Sequence, residues 1–328
     1  MIAASASLGS YAASQSASDY TLWITLGDID QLVEADPYTF KETRRITVDP
    51  KVHGLGFSPD GAKVYVASDR TGNFQVVDAR KGAVVEQIHL GKDPNQMAIT
   101  NDGKVAYVPM RGEDSIAVVQ LEPSLKLLKK IPFDKGPHDA YTSDDGSRVF
   151  VGAQFGRSIA VVDTGKQDML YTLPTTDGVR PLAPTRDGRT LYAALSNLLG
   201  FVVVDTEKGV TRRVELGTLP EGLPPPYLET YTHALHLSPD ETELWVTDCI
   251  NDLIRIVRLS DMTEVAQIRV GHFPHWFAAR RDGQVVFVSL WYSDAVAAID
   301  AKTRKVLANM QFPRQSGPKR IGIAPRVR

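Results

Sequence analysis

Apolar and polar positions alternate along this chain in short runs broken by Gly, Asp, Asn and Ser, and two kinds of run recur seven times. The first pairs an aromatic with, as a rule, a β-branched residue: Trp23-Ile24, Tyr65-Val66, Tyr107-Val108, Phe150-Val151, Tyr192-Ala193, Trp245-Val246 and Phe287-Val288. The second is richer in Val and Ile: Leu32 to Asp36, Phe74 to Asp78, Ile116 to Gln120, Ile159 to Asp163, Phe201 to Asp205, Ile254 to Arg258 and Val296 to Asp300. Such runs with short turns between them predict strands, not helices. Five of the seven second runs end in Asp, which starts a turn into a more polar outer strand such as Val84 to Leu90 or Glu264 to Val270.

Ahead of these runs lies a third, shorter one, opened by an anchor residue and usually closed by Asp-Gly. The anchors are His53, Asn95, His138, Arg180, His233, His275 and Arg320, spaced 42, 43, 42, 53, 42 and 45 residues apart. Asp-Gly is a hairpin signal, because Gly accepts positive φ and Asp bonds its own backbone. Glu241 stands where the fifth repeat should have Gly, so a turn of different detail is expected there. Four strands in a period of about 40–45 residues describe one propeller blade. The segment from Tyr20 to Val48 supplies only strands two to four of a blade, and Lys319 to Ala324 looks like its missing inner strand. The sequence therefore predicts an all-β fold: a seven-bladed β-propeller of four-stranded antiparallel blades, with both ends of the chain joined in one blade so that no edge is left open. It spans residues 20–328 as a single domain.

Composition narrows the partners. Hydrophobic residues make up 43% of the 328, enough for a large core, and the net charge of −2 gives no basic surface for nucleic acid. The lone Cys249 rules out an intrachain disulfide and a multi-cysteine metal site. No apolar run has the length of a membrane span. Residues 1–19 are rich in Ala and Ser and carry no charge before Asp19, which reads either as a disordered tail or as the remnant of an export signal with Ala4-Ser5-Ala6 suited to cleavage. The second of these implies a periplasmic or secreted protein.

The Pro-His and Ser-Pro-Asp-Gly segments, with Tyr65-Val66-Ala67-Ser68 and Trp245-Val246-Thr247-Asp248, resemble the YVTN-repeat family of seven-bladed propellers over about Tyr20 to Arg328. The resemblance implies the fold. Its wider group includes surface-layer and periplasmic binding propellers, lactonases, amine-dehydrogenase subunits and the haem or copper domains of nitrogen-oxide reductases. It selects no chemistry.

The anchors are where a site is expected, because the connection from an outer strand to the next inner strand opens at the mouth of the central channel. His53, His138, His233 and His275 would approach the axis from four blades and could ligate one copper, iron or zinc ion, with Asp69, Asp139 and Asp248 as acceptors behind the rings. A histidine at such a place also serves merely to bond a neighbouring backbone group and tie blades together. Arg180 and Arg320 would repel a metal but would hold an anionic substrate. Around them the loops offer Asp69, Asn95, Arg111, Gln154, Asp248, Trp291 and Tyr292 as ligand-binding candidates. About ten extra residues before His233, with three consecutive prolines, are expected to form a wall bringing Tyr227, Glu229 and Tyr231 over the mouth. Three functions follow: a metal-binding propeller, catalytic or not, acting on a small molecule at the mouth as an oxidoreductase, lyase or hydrolase; a non-catalytic propeller that holds a ligand or partner protein; or a metal-free, lactonase-like hydrolase or lyase.

Overall fold

The computed structural model describes residues 19–219 and 230–327. All its regular structure but one 3-10 turn, Trp291–Ser293, is strand, arranged in seven four-stranded antiparallel sheets. The first blade comprises Val52–Phe57, Lys63–Ser68, Asn73–Asp78 and Ala83–His89 from axis to rim. The inner strands of the next five are Ala98–Ile99, Pro137–Thr142, Val179–Pro184, Leu235–Leu237 and Pro274–Ala279. In the closing blade Pro318–Pro325 pairs antiparallel with Tyr20–Leu26, and Gln31–Asp36 and Lys41–Thr47 follow outward. Ring closure is thus as the sequence predicts.

The middle strands of each blade are buried on both faces, and the clusters between sheets are built from the recurring runs: Trp23 and Leu32 against Val64 and Val77, or Tyr107 and Val118 against Val149 and Val162. Outer strands such as Ala83–His89 are mostly exposed, which explains their polar sequences. At the end of the ring away from the anchors, Ser58 donates to Asp60 at 2.6 Å and accepts from the Lys63 amide at 2.9 Å, locking the turn. Gly61 there has φ +72°, and a Cβ would lie 1.9 Å from the carbonyl oxygen of Pro325, so only glycine lets the closing strand pack. The Glu241 turn corrects one expectation. Glu241 takes φ 56° and its amide bonds Ser238 O at 2.8 Å, as Gly61 bonds Ser58 O at 2.9 Å, so the turn keeps its shape without the glycine.

Candidate functional site at the channel mouth

Five anchors sit at the start of their inner strands, Asn95 and His233 lie just ahead of theirs, and the five starts are bulged. Between Val52 and Gly54, Pro137 and Ala140, Val179 and Leu182, Pro274 and Phe277, and Pro318 and Ile321, the inner strand carries one more residue than its partner. A bulge breaks the two-residue alternation and re-aims side chains. In two of these blades an amide displaced from the ladder is taken up by a hydroxyl of the neighbouring strand: Thr25 Oγ1 accepts from the Arg320 amide at 3.0 Å, and Ser289 Oγ from Trp276 at 3.0 Å. In the fifth blade, whose paired residues carry no bulge, Thr247 Oγ1 accepts from His233 at 2.9 Å and Ala234 at 2.8 Å, ahead of the inner strand. Consecutive residues are thereby buried together at the axis: His138 with Asp139, His275 with Trp276, Lys319 with Arg320.

The four histidines form a run, not a symmetric ring. His53 and His138 meet edge to face at 5.6 Å between ring centres, His138 and His233 at 6.4 Å, and His233 and His275 stack at 3.8 Å with 26° between planes. An imidazole lone pair lies in its ring plane, so two stacked, nearly parallel rings do not aim nitrogens at one point. His233 Nδ1 moreover lies 3.2 Å from the carbonyl oxygen of His275. As arranged, the four do not fit a single tetrahedral ion, and among the described residues no three His, Cys, Asp or Glu side chains are disposed to hold a metal.

Arg320 crosses the channel. Its guanidinium pairs with Asp139, donating from Nη2 to Oδ1, and lies 3.1 Å from the centre of the Trp276 ring. Asp139 Oδ2 is 2.9 Å from His138 Nδ1 without hydrogen-bond alignment. Burial alone would raise the Asp139 carboxyl, but Arg320 and His138 hold it well below the usual carboxylate range. The imidazoles are pushed the other way. Burial lowers His53, His233 and His275 far below 6.5, and Arg320 and other cationic neighbours lower them further. Burial takes His138 down to about 4, with Asp139 opposing and Arg180 adding to the fall. The rings are therefore neutral at physiological pH, in a positive field.

A second ring lies beside the first. The residue just after each blade's second strand donates its amide to the preceding connection: Asp69 to Lys51, Arg111 to Asp93, Gln154 to Gly136, Ser196 to Gly178, Cys249 to Tyr231 and Trp291 to Phe273, all within 2.7–3.2 Å. Asp69 faces His53 at 4.0 Å and Arg111 at 3.5 Å. Trp291 packs on His275 at 5.2 Å and carries Lys319 over its face at 5.1 Å. Tyr292, half exposed at the rim, stacks on Trp291 at 5.1 Å. Around the mouth, Asp69, Arg111, Lys319 and Arg320 lie on the closing, first and second blades, Gln154 and Ser196 stand beside the charged Asp139 and Arg180 on the third and fourth, and His233, His275 and Trp291 make an aromatic sector.

Several of these buried groups have no hydrogen-bond partner: His53 Nδ1, Asp69 Oδ1, Asn95 Nδ2, both ends of the Gln154 amide, Ser196 Oγ and His275 Nδ1. Arg180 is wholly buried on the fourth blade. Asp248 is directed elsewhere. Its carboxylate accepts from the amides of Ile250 and Asn251 and pairs with Arg255 at 2.8 Å, behind the mouth. The position equivalent to Asp69 is Cys249, whose thiol burial pushes up and whose Sγ lies 3.3 Å from Pro274 O. Tyr227 and Glu229 lie outside the described residues, whereas Tyr231 is buried. Sequence reasoning passed over Lys319 as a site residue, and nothing in the repeat marks it.

Residues 55–177 match the family described as lactonase, 7-bladed beta-propeller. No curated protein matches the chain. Among solved structures, a proposed 6-phosphogluconolactonase from Bacteroides fragilis NCTC 9343 is similar at 15% identity and a TM-score of 0.75, over 95% of this chain and 99% of that one. Hydrazine synthase of Kuenenia stuttgartiensis is similar at 19% identity and a TM-score of 0.69, over 82% and 89%. The dihydro-haem d1 dehydrogenase NirN, in complex with DHE, is similar at 16% identity and a TM-score of 0.65, over 92% and 74%. The chain is a seven-bladed propeller, and its residues 55–177 are similar to the lactonase family. At these identities the likeness to the solved structures is one of fold.

Proposed function

We propose that the protein binds an anionic small molecule at the channel mouth and opens a lactone by hydrolysis without a metal. The observation that carries this is the set of buried polar atoms without a partner around one opening: Asn95 Nδ2, the Gln154 amide, Ser196 Oγ, His53 Nδ1 and Asp69 Oδ1. Each such group costs about 1–3 kcal/mol when left unmade, so their concentration at one place points to a polar ligand. Neutral imidazoles in a positive field suit an anion rather than a cation. Lactone opening yields a hydroxy acid, whose carboxylate matches Lys319, Arg320 and Arg111 and whose hydroxyls match Gln154 and Ser196. The lactonase match of residues 55–177 supports the same reading.

The test is hydrolysis of glucono-δ-lactone, followed by proton release, together with calorimetric binding of gluconate. Turnover should survive chelators, and Lys319→Met should weaken gluconate binding by about tenfold, the loss of one charge-assisted contact. No gluconate binding and no lactone turnover would overturn the reading. A second reading puts a transition metal at the same mouth. It is favoured by the unpartnered Nδ1 atoms of His53 and His275, and it requires the stacked pair to separate. Under it, protein purified without a tag carries stoichiometric metal that His53→Ala/His138→Ala abolishes.

A further inference from the structure

We propose that His53 and Asp69 together hold the water that attacks the lactone carbonyl, Asp69 acting as its base and His53 as the positioning residue. The proposal rests on the hydrolytic reading above. His53 Nδ1 and Asp69 Oδ1 face each other at 4.0 Å, and neither has a hydrogen-bond partner. That is too long for a direct bond. Two bonds of about 2.8 Å meeting near a right angle at one shared oxygen span about 4 Å. A water there has two polar partners in a buried polar site, which is what retains ordered water. The other carboxylate oxygen, Oδ2, is turned to Arg111 at 3.5 Å, so Oδ1 is the atom left for chemistry.

In the step, the water oxygen bonds to the carbonyl carbon as one of its protons passes to Asp69 Oδ1. The bond from that carbon to the ring oxygen then breaks. The departing oxygen takes the proton back from Asp69, giving a hydroxyl and a carboxylic acid that ionises to solvent. One water is consumed, and Asp69 ends as it began. Arg111, Lys319 and Arg320 face Asp69 as cations and Asp93 as an anion. Burial outweighs the cations and sets the Asp69 carboxyl at about 6, with Asp93 adding to the rise. Below that pH it is protonated and cannot accept, so the rate should fall on an acid limb near pH 6.

Two experiments decide it. A high-resolution crystal structure of the full chain should show a solvent oxygen within hydrogen-bond distance of both atoms. A direct contact of Asp69 Oδ1 with a protein donor, or divergent side chains, would overturn the proposal. With glucono-δ-lactone as probe, Asp69→Asn should lower kcat by about 100-fold or more and abolish the acid limb, a loss far larger than any change in the gluconate Kd. His53→Gln should lower kcat by about tenfold, with a smaller change in KM. Variants that bind gluconate and turn over like wild type would sink the proposal and leave the hydrolytic reading standing. A wild type that neither binds gluconate nor opens the lactone sinks both.

Discussion

Replacing Asp139 by Asn removes the carboxylate that faces Arg320 across the channel. Both residues have zero solvent exposure, so the guanidinium would keep its charge in a place water does not reach. Breaking one side of a buried pair costs about 3–5 kcal/mol, and the Trp276 face returns about 1–2 kcal/mol of that at most. A net loss of about 1–4 kcal/mol is expected. With roughly 300 ordered residues unfolding at about 2.1 cal/mol/K each, the midpoint should fall by about 2–6 °C. Urea denaturation at pH 7 and differential scanning calorimetry on Asp139→Asn, Arg320→Met and the double variant measure it. The double variant removes both charges, so its loss should be smaller than the sum of the singles by about 2 kcal/mol or more. An Asp139→Asn midpoint within about 1 °C of wild type, or strictly additive losses, would refute the cross-channel pair as a stabilising element. The pair also has an acid signature. The Asp139 pKa is depressed in the folded state, so its contribution is full above its unfolded value of about 4 and is lost as pH falls through the folded one.

Two further outcomes follow from the same packing. The imidazoles of His53, His138, His233, His236 and His275 all have lowered folded-state pKa values, first because of burial, so the unfolded chain binds more protons below its value of about 6.5. Their stabilisation is full above that pH and is lost as pH falls. For His138 and His236, each at about 4, it amounts to roughly 3 kcal/mol apiece. Asp69 opposes as one group against five, so the urea midpoint should drop steeply between about pH 6.5 and 5, and a flat profile would contradict the burial. At Gly178 a Cβ would lie 2.0 Å from the carbonyl oxygen of Gln154 and 3.0 Å from Ser196 Oγ. Gly178→Ala should therefore cost about 1–3 kcal/mol and weaken gluconate binding, while Gly165→Ala, whose Cβ would meet only Asp163 Oδ1 at 3.3 Å, should do neither.

The strands and the closure of the ring could be read from the chain because each depends on local chemistry that repeats: aromatic and β-branched pairs, Asp-started turns, a fixed period. The anchors could be read for the same reason, since all seven fall at one place in the repeat. Their mutual geometry could not. A one-residue bulge leaves no mark in a hydrophobic pattern, yet it brings Asp139 beside His138 and Arg320 beside Lys319. The hydroxyls of Thr25 and Ser289, sitting in otherwise apolar strands, were the available trace of it. Asp248 shows how narrow the margin is. It stands one residue before the position that Asp69 and Trp291 occupy, and that single step turns its carboxylate to Arg255 rather than to the mouth. The stacking of His233 on His275 depends on side-chain torsions, which composition and spacing do not encode.

Strand Pro318–Pro325 does two jobs at once: it seals the circle, and it delivers Lys319 and Arg320 to the opening. During synthesis the three strands made first, Tyr20–Leu26 to Lys41–Thr47, must wait with one edge bare until almost everything else has emerged. Assembly and the arrival of these two cations at the mouth are consequently one event. A chain stopped short of residue 318 would present a sticky sheet edge and a mouth stripped of both cations, inviting aggregation instead of a weakened but folded product.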